Sequence, residues 1–564
     1  MKTPFLIRAL TVLSLCFGIV IPALSQDKLL TILEEELQRE MQSLKKQEIP
    51  VYYLSYRAEQ SASQYITTSL GALVNSAQAK NIQLTVTLRV GSPELDNYHP
   101  MRDMYDNTGY SLTVLPLPDE PVAVKQAIWN ATNDAYQQAV TKLTKVKANI
   151  AIKVEEEDKA ADFWLGPPNV YVEPPLKQQD FTFDKALWEK RMKKYSSVFL
   201  RDSDIFNGIS YIVYRTSRDY FISTNGDKVV QNRTSANIAV TGTIKAKDGM
   251  EMPLVETFMA FKPEKLPSDD DILKQINSLV DNLVKLKNAP VAEPYTGPAL
   301  LSGKAAGVFF HEIFGHRVEG TRMKNESDAQ TFKKKLNEQV LPENLSVYSD
   351  PQQKEFNKQD LNGYYLYDNE GVKGQKVTVV KDGVLKDFLM SRTPIAGFPK
   401  SNGHGRAQIG NQPIARQSNL IVDARQPETQ EQLRAELIRL AKEQNKPYGY
   451  LFDEVVGGFT NTGRYSPNAF NVTPTLVYRV YADGRPDEVV RGVDLIGTPL
   501  SMFSQIDKAG GSTEIFNGIC GAESGGVPVS CISPMLLVKM VETQKKAKSQ
   551  DKSFILPRPD LETK

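Results

Sequence analysis

The sequence predicts an α+β protein, with an N-terminal α/β domain followed by a β-rich C-terminal domain that contains one buried helix. Three observations lead to this prediction. Helix-period and strand-period segments are mixed in the first half, strand pairs with glycine-containing turns recur later, and one apolar helical segment lies in the second half. With 564 residues, 41% of them apolar, the chain is long enough for several domains.

The first 25 residues have the pattern of a secretory signal peptide. Lys2 and Arg8 precede an apolar run that ends in the small-x-small sequence Ala23-Leu24-Ser25. The alternative is a retained membrane anchor, but the run is shorter than the roughly 20 residues needed to span a bilayer. We therefore expect residues 1–25 to be removed. The mature protein is then exported, to a periplasm or the extracellular space, without a membrane span.

Helices and strands alternate in the segment that follows. Residues 27–47 place leucines at spacings of three and four, which predicts an amphipathic helix, and a second helix is expected at about 122–147. The segments at 51–60 and 82–91 between them are typical of strands. This mixture predicts the N-terminal α/β layer.

Turn and helix-end signals predict two hairpins, a helix and a linker in the region up to residue 298. Asn225-Gly226 and Asp248-Gly249 separate alternating strands and predict two hairpins, after a proline-rich, irregular stretch at 162–175. Residues 268–290 form a helix that begins after Ser268 and ends near Pro290. The linker-like stretch 289–298 then places a domain boundary, with the N-terminal α/β domain at 26–290.

The C-terminal domain is expected at 291–546, with a charged tail at 547–564. Hairpins are expected at 377–390 and 478–490, with a helix at 427–443 between them. The net charge is +1 and no lysine or arginine cluster stands out, so nucleic acid is not an expected partner.

One short segment of this domain carries unusual chemistry. The sequence HEIFGHRVEG at 311–320 holds two of the four histidines in the chain, with Glu312 beside the first. The flanking residues are apolar, so the helix is expected to be buried, and buried ionisable groups are costly unless they are paired or bound. The alternative interpretation is a pair of hydrogen-bonded core histidines.

The spacing of the two histidines requires a break in the helix. His311 and His316 are five residues apart, so a regular helix would splay them by about 140°. Both can reach one ion only if the helix bends, bulges or ends between them. Gly315, directly before His316, makes such a break inexpensive because it lacks a Cβ.

Zinc fits this donor set best, because two imidazoles with one thiolate or carboxylate leave a position for water. From the residues alone the third ligand is either Glu319 or Cys520, the latter set among glycines. Glu319 could instead support one of the ligands without binding the metal, or it could face solvent. A Cys520–Cys531 disulfide is the competing interpretation for the thiol, since an exported protein can form one.

Four segments in the second half resemble the PmbA/TldD family of metallopeptidases, in its catalytic TldD-like branch. They are HEIFGHRVEG, DNEGVKGQKVTVVKDGVLKDFLMS (368–391), NGHGRAQIGNQPIARQSNL (402–420) and NGICGAESGGVPVSCISP (517–534). Their order matches that of the family. The spacing after Gly521 departs slightly from the family pattern, and Cys531 stands where a small or apolar residue is expected.

The resemblance implies one Zn²⁺ per chain, bound by His311, His316 and Cys520, with Glu312 as the general base. It implies a metallopeptidase that takes short or unfolded peptides as an extended strand in a narrow channel. It also implies a dimer, either with itself or with a related subunit. The alternative function is a catalytically silent zinc- or peptide-binding subunit of a dimeric peptidase.

Further residues are candidates for contacts with the substrate. Arg406 and Arg416 lie in glycine- and proline-bounded loops, where one of them could neutralise a peptide carboxylate or the developing oxyanion. His404 is a further candidate for the same contact or for supporting the site. Surface arginines in solvent are the competing interpretation.

Overall fold

The structure is a computed structural model that describes residues 27–101, 111–151, 158–464 and 470–546. The predicted signal peptide (1–25) and the predicted charged tail (547–564) lie outside the described residues. Within those ranges, no helix combines the length and apolar character needed to cross a membrane.

The described part of the first half contains four α-helices: α1 Lys28–Leu44, α2 Pro121–Ala151, α3 Lys185–Ser197 and α4 Asp269–Asn288. Asp27 caps α1 by accepting a hydrogen bond from the backbone N–H of Leu30 at 3.1 Å. Ser268 caps α4 in the same way, and three aspartates follow it in the first turn, where the helix dipole favours negative charge. Three of these helices were predicted, and α3 was not.

A seven-stranded sheet covers most of the first half. Its strands are β1 Val51–Ser69, β2 Ala72–Val90, β3 Thr113–Leu115, β4 Val170–Val172, β5 Ile205–Ser223, β6 Lys228–Lys245 and β7 Glu251–Ala260. The order is β3-β2-β1-β5-β6-β4, with β7 on the other part of β6. All pairs are antiparallel except β4 with β6. The predicted hairpins at Asn225-Gly226 and Asp248-Gly249 are confirmed as the β5–β6 and β6–β7 turns.

The second half contains helices α5 Gly303–Ile313, α6 Thr321–Lys324, α7 Gln430–Glu443 and α8 Pro499–Phe503. Its strands, in chain order, are β8 Tyr295–Leu301, β9 Leu345–Ser349, β10 Glu355–Phe356, β11 Gln359–Asp360, β12 Val377–Lys381, β13 Val384–Leu385, β14 Gly405–Arg406, β15 Ile414–Ala415, β16 Asn419–Ala424, β17 Tyr448–Thr460, β18 Phe470–Tyr481, β19 Glu488–Val490, β20 Val493–Gly497, β21 Ile506–Ala522 and β22 Gly525–Lys545.

Eleven of these strands form one sheet, and β10–β11 and β14–β15 form two small ribbons. The predicted hairpins at 377–390 and 478–490 and the predicted helix at 427–443 are confirmed. The linker expected at 289–298 is partly wrong, because β8 begins at Tyr295 and pairs with β17 and β22. The mixed α and β composition is confirmed, whereas the boundary after residue 290 remains a prediction.

Every residue of helix α5 except Lys304 is buried, as its apolar sequence predicts. It packs against β17, β21 and β22, and its phenylalanines belong to the largest hydrophobic cluster of the described chain. The two halves also touch. The Arg57 guanidinium donates to the carbonyl of Ala407 at 2.8 Å, and Arg392 pairs with Asp227 at 3.0 Å. A large cleft remains between the two sheets, and Lys304, Val308, His311 and Glu312 of α5 line it.

Candidate metal centre

The helix that carries the motif ends between the two histidines. Ser302 caps α5 through a hydrogen bond from the backbone N–H of Ala305 to its Oγ at 3.1 Å, and the helix stops at Ile313. Phe314 then leaves helical geometry at φ −122°, and a 3₁₀ turn at Gly315–Arg317 carries His316. The predicted break is therefore present, as a helix end rather than as a bulge.

Gly315 allows this turn to pack tightly, for a reason that differs from the expected one. Its φ is not in the left-handed region. A Cβ added at Gly315 would lie 1.9 Å from Oε1 of Gln417, which no contact tolerates. Gln417 in turn donates to the carbonyl of His311 at 3.4 Å. Gly315 thus lets the β15–β16 segment approach the histidine turn closely.

His311, His316 and Cys520 converge although Cys520 lies some two hundred residues further along the chain. Nε2 of His311 lies 3.0 Å from Sγ of Cys520, and Nε2 of His316 lies 3.3 Å from the same sulfur. The imidazole rings are 4.8 Å apart at an angle of 81°. In the described part of the chain, this is the only group of at least three potential metal-ligating side chains whose donor atoms lie within 4.8 Å of one another.

The outer nitrogens of both histidines have partners of their own. Nδ1 of His316 lies 3.2 Å from Oε2 of Glu319, and Nδ1 of His311 lies 3.6 Å from Sγ of Cys531. Such contacts fix the orientation of an imidazole ring and leave its other nitrogen free to bind. Glu319 therefore sits behind His316, on the side away from the Cys520 sulfur.

The charges around the cluster favour a thiolate. Burial opposes ionisation of Cys520, but His311 and His316 outweigh it and lower the pKa of the thiol well below its usual value. Burial likewise opposes the charged form of His316, but Glu319 and Cys520 raise the pKa of its imidazole to about 9. For Glu319, His316 and Arg322 overcome burial and lower the pKa of the carboxyl to about 2.

Like the two histidines, Arg416 contacts the Cys520 sulfur. It is fully buried, and its Nη2 donates to Sγ of Cys520 at 3.1 Å and to the Cys520 carbonyl at 2.7 Å. Its Nη1 donates to Oγ of Ser524 at 2.7 Å, and its Nε lies 3.6 Å from Oε1 of Glu319. Its guanidinium therefore faces the thiolate, and Arg416 is not among the residues that line the cleft. Its contact with substrate remains a prediction.

Glu312 lies at the cleft next to the cluster. Its side chain is buried against β17, where a Cβ added at Gly458 would meet the Glu312 Cγ at 2.5 Å. Its backbone carbonyl accepts a hydrogen bond from Arg317 at 2.6 Å, whereas its carboxylate has no hydrogen-bond partner within the described ranges. Burial raises the pKa of this carboxyl, against the opposing effect of the two histidines.

The cleft has a volume of about 2010 Å³ and is lined by both halves of the chain. His311, Glu312, His316 and Cys520 lie in its wall. Strand β7 of the first half and strands β17 and β21 of the second half line it. Among the described residues β7 pairs only with β6, and β21 pairs only with β22 apart from a bridge between Gly510 and Glu428, so each presents a free strand edge over most of its length.

The other two predicted contact residues have different surroundings. Arg406 lines the cleft. His404 is fully buried and does not line it; its Nε2 lies 3.1 Å from Oγ of Ser349 and its Nδ1 lies 3.0 Å from Oδ1 of Asn402. Burial and then the nearby Arg406 lower the pKa of His404 to about 3, so its ring is neutral.

No disulfide joins the two described cysteines, which are both free and buried. Cys520 lies opposite Val527 in the β21–β22 ladder, and Cys531 is four positions further along β22. Four residues of strand span about 13 Å, beyond the roughly 7 Å between Cα atoms that a disulfide allows. The hairpin register therefore disfavours a Cys520–Cys531 disulfide.

Residues 294–545 match the family model described as PmbA/TldA metallopeptidase C-terminal domain. The C-terminal half of this chain belongs to the PmbA/TldD family. This PmbA/TldD domain contains the whole histidine–cysteine cluster together with Glu312.

Relatives of this PmbA/TldD domain carry metalloprotease names. A "Metalloprotease" from Archaeoglobus fulgidus is 33% identical over 272 residues, 48% of this chain and 58% of the relative. "Metalloprotease MJ0996" from Methanocaldococcus jannaschii is 26% identical over 60% of this chain and 67% of the relative. A "Zinc metalloprotease TldD homolog" from Saccharolobus solfataricus is 27% identical over 47% and 56%. The matched segments thus span 56% to 67% of the length of these relatives.

Solved structures share the fold across both halves. TldE from Thermococcus kodakarensis aligns with a TM-score of 0.60 at 14% identity, covering 91% of this chain and 100% of that one. A putative modulator of DNA gyrase from Thermotoga maritima aligns with a TM-score of 0.59 at 15% identity, over 90% and 100%. At these identities the likeness shows the fold alone.

The donor set of this PmbA/TldD domain fits a zinc ion. Zn–S and Zn–N bonds of about 2.3 and 2.0–2.1 Å place sulfur and nitrogen ligands roughly 3.5 Å apart in a tetrahedron. The observed nitrogen–sulfur separations of 3.0 and 3.3 Å are close to that value. Two imidazoles and one thiolate leave the fourth position open, as in catalytic zinc sites.

Proposed function

We propose that this protein is a zinc-dependent metallopeptidase, with one Zn²⁺ held by His311, His316 and Cys520 and with Glu312 as the general base. The observation that carries the proposal is the convergence of both histidine Nε2 atoms on one buried thiolate, beside a glutamate that lines the cleft. The Glu312 carboxylate has no hydrogen-bond partner among the described residues, so this buried glutamate has no evident structural role.

The residues divide the chemistry of peptide hydrolysis between them. A zinc ion in such a site acts as a Lewis acid and lowers the pKa of water. Glu312 takes a proton from the attacking water and returns it to the leaving amine. Burial raises its pKa, which brings the carboxyl nearer to the range in which it both accepts and donates a proton. Glu319 and Arg416 hold His316 and Cys520 in place.

The substrates we propose are short or unfolded peptides bound as extended strands. The free edges of β7 and β21 both line the cleft, and an extended peptide satisfies such an edge by adding a strand. A folded protein cannot offer an isolated strand between them. Strand addition would therefore exclude folded proteins without recognising particular side chains of the substrate.

Peptide cleavage with and without a chelator tests the proposal. Wild-type protein should cleave unstructured peptides, lose activity when metal is removed and regain it with added zinc. Glu312→Gln should keep its zinc while activity falls by more than about 100-fold. Glu355→Gln changes an exposed carboxylate elsewhere in the cleft wall and should keep activity. Glu312→Gln cleaving at the wild-type rate would rule out its role as the base.

A zinc-loaded wild-type protein that cleaves no peptide, alone or with a related subunit, would favour the alternative of a catalytically silent subunit. We further propose that the chain is exported and forms a dimer, with itself or with a relative. Mass spectrometry of the secreted protein should find Gln26 at the N-terminus. Light scattering should give twice the mass of one mature chain, or the mass of a mixed pair.

A further inference from the structure

Arg406 is a buried cation in the cleft wall that no carboxylate of the described residues neutralises. Its side chain is only 3% exposed. Nη1 donates to the carbonyl of Gln417 at 2.5 Å, and the guanidinium lies over the ring of Tyr365 at 4.8 Å from its centre. Nε and Nη2 have no hydrogen-bond partner, and Arg406 has no ion pair, within the described ranges. Two donors therefore remain available at the cleft.

The arginine keeps its charge in this position. Burial, with a smaller contribution from Arg233 and Arg416, lowers the pKa of Arg406 to about 10. It is still protonated at neutral pH. Leaving such a buried charge without a partner is costly, and structural arginines normally have one. By contrast, Arg322 binds Glu523 through two hydrogen bonds of 2.9 and 3.0 Å, and Arg215 pairs with Glu59.

Arg406 also lies at a defined end of the cleft. Two residues later, the backbone N–H of Gln408 donates to the carbonyl of Ser524 at 2.9 Å, at the tip of the β21–β22 hairpin. Cys520 lies just before this tip, and Gln417, whose carbonyl accepts from Arg406, donates through its side chain to the carbonyl of His311 at 3.4 Å. The guanidinium is therefore close to the metal cluster, on the hairpin-tip side.

The other end of the same cleft carries the opposite charge. Glu256, Glu454 and Glu514 surround Lys304 there, so carboxylates outnumber the cation. Glu514 lies six residues before Cys520 on β21, which is about 20 Å along a strand. The cleft is thus acidic at one end, with an unpaired cation at the other. This asymmetry matches a peptide that lies with its carboxylate toward the hairpin tip.

We propose that Arg406 binds a carboxylate of the peptide substrate and so fixes where the chain is cut. The group is either the α-carboxylate at the C-terminus of the peptide or the side chain of an aspartate or glutamate. Arginine suits this task because its planar donors match a carboxylate. The remaining donors, Nε and Nη2, lie on one side of the guanidinium and can form two parallel hydrogen bonds. This inference rests on the proposed peptidase function.

Three N-acetylated hexapeptides separate the two sources of the carboxylate. The first ends in glutamine with a free acid, the second ends in glutamine amide and the third ends in glutamate amide. If the C-terminus is recognised, wild-type protein should cleave the first about 10- to 100-fold more efficiently in kcat/KM than the second. If a side chain is recognised, the third should exceed the second by a similar factor.

Arg406→Met should remove this preference, mainly by lowering kcat/KM for the carboxylate-bearing peptide. Arg406→Lys should keep part of the preference. Lys265→Met removes a positive charge from an exposed position of the cleft wall and should keep the preference. Equal cleavage of all three peptides by wild-type protein would overturn the inference while leaving the peptidase proposal intact. An equal loss on all three in Arg406→Met would also overturn it. Absence of any metal-dependent cleavage would instead contradict the proposed function.

Discussion

Glu319→Gln is the substitution whose effect on metal binding can be worked out most directly. Oε2 of Glu319 accepts from Nε of Arg322 at 2.9 Å and lies 3.2 Å from Nδ1 of His316. The amide keeps the shape of the side chain but removes its charge. His316 then loses the carboxylate that orients its ring and makes its Nε2 a better ligand.

The lowered pKa of Glu319 gives the scale of the electrostatic interactions that the substitution removes. The pKa of Glu319 falls from 4.5 to about 2. At about 1.4 kcal/mol per pKa unit, this corresponds to roughly 3 kcal/mol in favour of the charged form. This is a net value, because the favourable effects of His316, Arg322 and Arg416 also offset the cost of burial. We expect zinc affinity to fall by about 10- to 100-fold, as is usual when such a partner is lost.

Competition with a chelator of known zinc affinity at neutral pH measures this loss. Glu523→Gln is the matched control, because Glu523 also pairs with Arg322 but does not contact His316. Its affinity should stay within about three-fold of the wild-type value. If Glu319→Gln binds zinc as tightly as Glu523→Gln does, Glu319 does not support a metal ligand.

Three further outcomes follow from the same contacts. Gly315→Ala should displace Gln417, whose Oε1 would lie 1.9 Å from the new Cβ, and should lower both zinc content and melting temperature. Between pH of about 6.5 and about 3, an unfolded chain protonates His404 but the folded one does not, so the protein becomes less stable as the pH is lowered through this window. Thermal melts of His404→Gln should show a weaker dependence of stability on pH. Cys531→Ser should keep one zinc per chain by elemental analysis, because Cys531 faces the outer nitrogen of His311 and not the proposed metal position. Cys520→Ser should lose the zinc, because it lacks the proposed thiolate ligand.

Local patterns in the sequence predicted the secondary structure well where turns and helix ends have clear chemistry. The glycine turns after Asn225 and Asp248, and the capped helix after Ser268, are in place. Helix α3 was missed because its sequence is mostly charged and aromatic, without a clear apolar period. Residue 295 begins a strand within the expected linker because β8 is stabilised by two distant strands, which no local pattern reveals.

Local sequence patterns also predicted part of the candidate site. Five-residue spacing of His311 and His316 requires a broken helix, and the structure ends the helix there. The close contact between Gly315 and Gln417 could not be foreseen, because it depends on how two segments a hundred residues apart pack. Arg416 was singled out, but its contact with the Cys520 sulfur depends on the hairpin register.

X-ray absorption at the zinc edge of the zinc-loaded protein tests the proposed metal site most directly. We expect one zinc per chain, with one sulfur neighbour at about 2.3 Å and nitrogen or oxygen neighbours at about 2.0–2.1 Å, at least two of them imidazole. The sulfur signal should disappear in Cys520→Ser. A zinc ion surrounded only by light atoms, or one that keeps its sulfur in that variant, would contradict a site built from His311, His316 and Cys520.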